Sequence, residues 1–374
     1  MVDLKGQYQK IKAEIDASIH ACLDSTAFIN GPHVKSFQRN LETYLNVKHV
    51  IPCANGTDAL QIAMMALELQ PGDEVIVPAF TYVATAEVIA LLRLKPVMVD
   101  VDPHTFNITA DIIEQAITPQ TKAIVPVHLF GQSCDMEQIM ALAKKYNLYV
   151  IEDNAQAIGS DYTFSDGKKA KSGTIGHIGC TSFFPSKNLG CYGDGGAIMT
   201  NDDDLADKLR MMANHGQGQQ YHHITIGVNS RLDSIQAGIL DVKLRHLDEY
   251  SDARQHAAAF YDAAFAKIDG LTIPARQPNA THVFHQYTLR VKNGQRAALR
   301  AHLTEGGVSA MIYYPMPLYK QTAYSHYWRG GELPVTEQLC EEVMSLPVHT
   351  EMTEDTLLYI VETVKQFFEK THGK

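Results

Sequence analysis

The sequence predicts an α/β protein, with a mostly parallel central sheet covered by helices and a smaller C-terminal α+β unit. Three observations carry this. Short apolar runs alternate with amphipathic stretches from about residue 50 to residue 200. Runs such as Val75-Ile76-Val77 and Val150-Ile151 are continuously apolar, as strands buried on both faces require. Beyond residue 250 that rhythm stops, and two extended runs mix with two helical ones.

Taken in order, residues 8–23 show helical periodicity, Phe28 to Pro32 is a turn, and residues 33–45 form a second helix. Strands are expected near Val50 and over 74–77, 97–99, 123–127 and 149–151. Helices over 59–67, 84–92, 110–117 and 136–146 separate them, with Thr109 as a cap ahead of the third. Strands over 178–183 and 197–200 flank a glycine-rich loop, and a helix follows over 203–213. A long helix over 232–250, continuing toward residue 265, connects to the second unit. That unit takes strands over 280–291 and 308–314 and helices over 298–305 and 354–370, the last capped by Thr353. The boundary is placed near 250, giving a large domain over residues 1–250 and a small one over 251–374.

With 374 residues, 45% of them hydrophobic, the chain can bury a large core. A formal net charge of −10 argues against a nucleic-acid binder, although a few local arginines would suffice for an anionic small molecule. Six cysteines at 22, 53, 134, 180, 191 and 340 form no CxxC pair, which is a reduced, intracellular pattern. The seventeen histidines include His222-His223 but no HxxxH or HExxH spacing, so no metal site is expected. The polar N-terminus lacks a signal-peptide core, and Glu87, Arg93 and Lys95 interrupt the most apolar segment. A cytoplasmic protein without a membrane span is expected.

Thr181-Ser182-Phe183-Phe184-Pro185-Ser186-Lys187 sets one lysine between an apolar run and a loop containing Gly190, Gly193, Gly195 and Gly196. Desolvation there would disfavour the ammonium and free an amine nucleophile. Taken alone, Lys187 is equally a surface lysine at a strand end. Upstream, Asp153 emerges at the carboxyl end of the strand ending in Val150-Ile151, where open α/β sheets bind ligands. A lysine that forms an imine and an acid that holds a ring nitrogen protonated are what pyridoxal phosphate requires. A third element, Cys53-Ala54-Asn55-Gly56-Thr57-Asp58, opens a helix whose first amides form an anion site. Gly56 permits a tight turn and Thr57 and Asp58 are N-cap types, so ordinary capping accounts for them as well. Ser182 is a second phosphate donor.

These motifs resemble those of the DegT/DnrJ/StrS family of nucleotide-sugar aminotransferases, within the type I pyridoxal-phosphate aminotransferase fold. The resemblance runs from Asp3-Leu4-Lys5-Gly6-Gln7-Tyr8 through Gly31-Pro32, Asn55 to Leu60, Pro78 to Tyr82 and Ile151 to Gln156. It continues through Ser182, Lys187 and Gly227 to Asp233, and ends at Tyr314-Pro315-Met316-Pro317-Leu318. It implies that Lys187 forms the imine and shuttles the proton, that Asp153 partners the pyridine nitrogen, and that Gln156 meets the ring hydroxyl. It implies that Ser182, Gly56, Thr57 and Asp58 hold the phosphate and that Tyr82 stacks on the ring. Asn229 would reach the phosphate from the other subunit, which makes a homodimer with shared sites. Where many members read His-Tyr-Pro, this chain has Tyr313-Tyr314-Pro315, and Phe184-Pro185 stands where some carry a histidine.

A narrower resemblance is carried by the lysine string, by Gly190 to Gly196 and by Tyr221-His222-His223. It points to aminotransferases acting on a UDP-linked 2-acetamido-2-deoxy-3-oxo-glucuronate, with surface polysaccharide as the end use. L-Glutamate is the expected amino donor, and pyridoxamine phosphate the aminated cofactor. A diphosphate and a carboxylate call for a cation, and Arg231 is the best placed unless it pairs with Asp233. His215, Tyr221, Tyr313 and Tyr314 are further substrate candidates. The rival within the fold is amination of a UDP- or dTDP-linked 4-keto-6-deoxy sugar. A dinucleotide oxidoreductase is disfavoured because no GxGxxG follows the first strand. A dehydratase is disfavoured because Lys187 is present. A non-catalytic binding protein is disfavoured because every cofactor position holds a competent residue.

Overall fold

The N-terminal segment forms helices α1 (Leu4–Lys10), α2 (Lys12–Ser25) and α3 (Pro32–Leu45); the computed structural model describes residues 1–372. Asp3 starts α1 by accepting from the Gly6 amide, and Pro32 opens α3 where a missing N–H costs nothing. The chain then alternates through β1 (His49–Cys53), α4 (Gly56–Ala66), β2 (Glu74–Pro78), α5 (Ala84–Leu91) and β3 (Lys95–Val99). It continues through α6 (Ala110–Ala116), β4 (Thr121–Ile124), α7 (Met136–Tyr146) and β5 (Tyr149–Asp153). A hairpin of β6 (Asp161–Thr163) and β7 (Lys169–Lys171) precedes β8 (Ile178–Ser182), β9 (Gly196–Thr200) and α8 (Asp203–Ala213).

One seven-stranded sheet results, in the order β1-β9-β8-β5-β4-β2-β3. Strands β8, β5, β4, β2 and β3 run parallel, while β9 is antiparallel to both β8 and β1. Side chains alternate between two buried faces, as the pleat dictates. Val75 and Val77 pack with α4, α5 and α8, while Ile76 packs with α6 and α7. A further cluster joins α3 to the sheet through Phe37, Leu41, Phe183 and Met199. In the ladder Cys53 pairs with Gly196, Gly196 with Ser182, and Asp153 with Cys180. The loops that follow β1, β5 and β8 therefore leave the sheet at one rim.

The second half departs from expectation in several places. After a short hairpin of β10 (Gln217–Gln219) and β11 (His222–His223), the long connecting helix is two helices, α9 (Ser234–Leu244) and α10 (Leu247–Phe265). The amides of Arg245 and His246 bond three residues back, to Val242 and Lys243, which ends α9 in a tight turn. A three-stranded sheet combines β12 (Leu271–Thr272), β13 (Tyr287–Val291) and β14 (Val343–Leu346). The strand expected over 280–291 is confined to β13, because Phe284 takes a positive φ of 45° and interrupts the extension. The run over 308–314 is not a strand; Met311 makes one bridge to Ser345 of β14, which holds the edge instead. Helices α11 (Arg296–Glu305), α12 (Pro334–Glu342) and α13 (Glu354–His372) complete the chain, and Thr353 caps α13 as expected. Helix α12 and the three short hairpin and edge pairings have no counterpart in the sequence reading. Among the described residues no helix is long and apolar enough to cross a membrane.

Candidate active site

At the rim of the sheet lies a cavity of about 900 Å³, with Lys187 in its wall. The lysine sits five residues beyond β8, in a loop closed on itself by Lys187 N–H to Phe184 O and Cys191 N–H to Phe183 O, both 2.8 Å. Gly190 allows that closure, since a Cβ there would stand 2.5 Å from the Pro185 carbonyl oxygen. Burial strips water from the amine and brings its pKa down to about 8, although the charge of Asp153 pulls the other way. Part of the Lys187 population, roughly a tenth at pH 7, is thus free base where an ordinary lysine has almost none.

Asp153 ends β5 and is buried against the same cavity. Its Oδ2 accepts from Thr85 Oγ1 at 2.8 Å and its Oδ1 from the Ala155 amide at 3.2 Å. Its neighbour Glu152 is fully buried and accepts from the amides of Gly173, Ile175 and Gly176 at 2.8, 2.7 and 2.5 Å. Glu152 also accepts from His128 Nε2 at 2.7 Å, and His128 Nδ1 accepts from the Cys134 amide, so the ring proton lies on Nε2. The strand end that presents Asp153 is therefore fixed from behind.

An anion cradle faces them. The first-turn amides of α4 have no intrahelical partner and open toward the cavity with Gly56, Thr57 and Asp58. The cap is Asn55, not Thr57 or Asp58: its extended backbone (φ −167°) lets Oδ1 accept from the Asp58 amide at 2.8 Å. Gly56 is needed for proximity and not for a tight turn, because a Cβ there would stand 2.7 Å from the Ser182 Cβ. Ser230 Oγ donates to Asp58 Oδ2 at 2.6 Å and accepts from the Ala54 amide at 3.0 Å, bracing the cradle.

Aromatic and amide groups close the remaining wall. Gln156 Oε1 accepts from the Phe130 amide at 2.7 Å and its Nε2 donates to the Tyr314 hydroxyl at 3.2 Å. Burial pushes the Tyr314 phenol well above its ordinary value, so it stays a neutral donor. The Tyr82 ring stands 6.5 Å from that of Tyr314 and is more than half exposed, open to a flat ligand. Tyr313 and Phe184 also line the cavity. His285, which sequence reasoning missed, lines it beside Lys187; burial, then the charges of Lys187 and Arg254, hold its imidazole neutral.

Four predicted residues lie outside this cavity. His215 and Tyr221 stand exposed around the β10–β11 hairpin, and Asn229 is exposed in the segment that follows it. Arg231 is half-buried with Nε unpartnered, and Asp233 caps α9 by accepting from the Gln236 amide. Thr85 was legible in principle, as a hydroxyl inside the apolar stretch Ala84-Thr85-Ala86. Asn55 was legible as a cap-type residue two positions ahead of Thr57.

An amine that is partly free base, a carboxylate facing it across one cavity, an amide cradle for phosphate and an exposed ring for stacking suit pyridoxal phosphate. The fold and site thus define a pyridoxal-phosphate-dependent aminotransferase of the type I fold. The solved structure of NtdA from Bacillus subtilis with bound cofactor PMP superposes with a TM-score of 0.89 at 33% identity, covering 96% of this chain and 82% of that one. The chain belongs to the DegT/DnrJ/EryC1/StrS aminotransferase family, which it matches over residues 9–365. It is 49% identical over 348 residues to a UDP-2-acetamido-2-deoxy-3-oxo-D-glucuronate aminotransferase of Pseudomonas aeruginosa, covering 93% of this chain and 94% of that one. It is 44% identical to a UDP-N-acetyl-3-dehydro-alpha-D-glucosamine 3-aminotransferase of Acidithiobacillus ferrooxidans, covering 98% and 97%. The enzyme is a nucleotide-sugar aminotransferase.

Proposed function

We propose that the enzyme moves an amino group from L-glutamate to C3 of a UDP-linked 2-acetamido-2-deoxy-3-oxo-D-glucuronate, in the cytoplasm, for a surface polysaccharide. The observation that carries the substrate is the 49% identity to the Pseudomonas aeruginosa enzyme across 93% of the chain. The cofactor, when bound, supplies an electron sink that makes the C–H bond of donor or product acidic. Asp153 keeps the ring nitrogen protonated, and the α4 amides with Ser182 hold the phosphate. Lys187 takes a proton from the donor α-carbon and delivers one to C3 of the sugar, a two-way task suited to an amine near neutrality.

Among the described residues the cavity wall carries Asp58, Asp153 and Asp194, with Lys187 as its one strongly basic side chain. A diphosphate and a carboxylate need more positive charge than that. We assign the missing contacts to a second copy: in a homodimer, Asn229, Arg231, His215 and Tyr221 of one protomer serve the cavity of the other. Mixing inactive Lys187→Ala with inactive Asn229→Asp protomers should then restore about a quarter of the wild-type rate, one intact site in every four formed by random pairing. No restored activity in a demonstrated mixed dimer would remove the shared site.

The second reading, UDP-N-acetyl-3-dehydro-glucosamine, whose sugar carries no carboxylate, is favoured by the 44% relative. Glutamate-coupled turnover with the 3-oxo uronate, its hydroxymethyl counterpart and UDP- and dTDP-4-keto-6-deoxy sugars separates them. Turnover of the uronate at least about tenfold above the others is expected, as for a charge recognised by an arginine. Preference for the hydroxymethyl sugar installs the second reading, and preference for a 4-keto sugar removes both.

A further inference from the structure

A second lysine, this one fully buried, touches the catalytic loop. Lys243, on α9, is 1% exposed, and its Nζ donates to the Gly190 carbonyl at 2.8 Å. The same ammonium stands 4.4 Å from the centroid of the Tyr192 ring. Gly190 and Tyr192 lie three and five residues beyond Lys187 in the loop that carries it. Among the described residues no carboxylate pairs with Lys243, which is held by one carbonyl and one aromatic face. Removing a charge from water costs stability, and neither contact is as strong as an ion pair. A methionine or leucine would fill the same core more cheaply, so the charge itself has a use.

We propose that Lys243 is a positioning residue for Lys187: its ammonium clamps the Gly190 carbonyl and the Tyr192 ring, fixing the loop that aims the catalytic amine. This rests on Lys187 being the proton-shuttling amine of the reading above. Other ties support the same loop without charge. Gln236, also on α9, accepts from the Tyr192 amide at 2.9 Å, and Asn188 donates to the Val283 carbonyl at 2.8 Å. Lys243 is the tie that titrates.

The groups facing it are few. The Cys191 thiol donates to the Phe183 and Gly193 carbonyls, and its own pKa is pushed up to about 11, so it is neutral. Asp194 acts on that thiol. Tyr192 is neutral and backed by Tyr8, whose hydroxyl donates to Asp16. Burial brings Lys243 down to about 8, the same value as Lys187. The two lysines have opposite requirements. Lys187 works as the free base and Lys243 as the ammonium, so raising the pH recruits the first while weakening the grip of the second, which keeps its N–H donors but loses its charge. The acid limb of the activity profile is accordingly set by Lys187 and the alkaline limb by Lys243.

The test is the pH profile of kcat for holoenzyme between pH 6 and pH 10, alongside two variants. Lys243→Met should lower kcat about ten- to a hundredfold, as misplaced catalytic groups do, with KM values within about twofold and the alkaline limb gone. Tyr192→Leu removes the aromatic face, keeps the lysine, and should move the alkaline limb to lower pH; it decides the matter if Lys243→Met fails to fold. In the apoprotein, competitive acetylation of Lys187, read by mass spectrometry, should show altered reactivity in both variants. Profiles and Lys187 reactivity matching the wild type in the folded variants overturn the proposal. Wild-type turnover by Lys187→Ala would instead overturn the reading on which it rests.

Discussion

A carboxylate that partners a ring nitrogen must not swing away, and Asp153 is restrained by a buried hydroxyl. Thr85 is fully buried, and its hydroxyl donates to Asp153 Oδ2 at 2.8 Å. Valine has the same shape without the hydroxyl, so Thr85→Val isolates that bond. Hydrogen bonds to ionised groups contribute about 1.5–3 kcal/mol, so the variant should retain pyridoxal phosphate about tenfold less tightly or worse. Spectrophotometric titration of the apoprotein reads this directly. Wild-type affinity in Thr85→Val would mean that the Ala155 amide alone orients the acid.

At the level of elements, the sequence announced what depends on local chemistry and missed what depends on distant partners. Strand β5 was legible because a continuous apolar run must be buried on both faces, which put Asp153 at its exit. Helix α4 was legible as an amide cradle, yet its cap was misplaced because Asn55, Thr57 and Asp58 are all cap types. Only the backbone angles distinguish them. The role of Gly56 was invisible: the reason for it is Ser182, 126 positions away, brought alongside by β9. The run over 308–314 reads as a strand by composition, but β13 accepted Val343–Leu346 as its neighbour instead. His285 shows the same limit. It stands among Val283, Phe284 and Tyr287 like any core residue, and only the tertiary fold brings it to Lys187.

Across the whole molecule, desolvation favours the neutral form of His177 and, more strongly, of three further histidines, His282 and His285 in the core and the half-buried His349, a form that acid removes. His282 and His285 are held well below the ordinary imidazole value, and His349 falls to about 4, each chiefly through desolvation. Geometry agrees: His282 Nδ1 accepts from the Phe284 amide at 3.0 Å and His349 Nδ1 from the Glu351 amide at 3.2 Å. A proton on either nitrogen would set two N–H groups against each other. In the unfolded chain these histidines titrate near 6.5, so between pH 6.5 and pH 4 the unfolded state binds more protons. Stability therefore falls as pH falls through that window. At pH 5.5 His349, with its value near 4, alone shifts the folded-to-unfolded ratio by about tenfold. The carboxylates held below their ordinary values lose their contribution only near and below about pH 4.5, while Asp262, raised by burial, gains stability as acid protonates it and so works against the trend. Urea midpoints at pH 7.5 and 5.5 read the effect, and the lower pH should give the lower midpoint. Equal midpoints would mean that these histidines can be protonated in place. Two of the three belong to the segment 282–286, which packs on the catalytic loop through Asn188 and the Val283 carbonyl. Loss of cofactor on acidification should accordingly begin no later than unfolding, as the wall of the cavity is among the first structures strained.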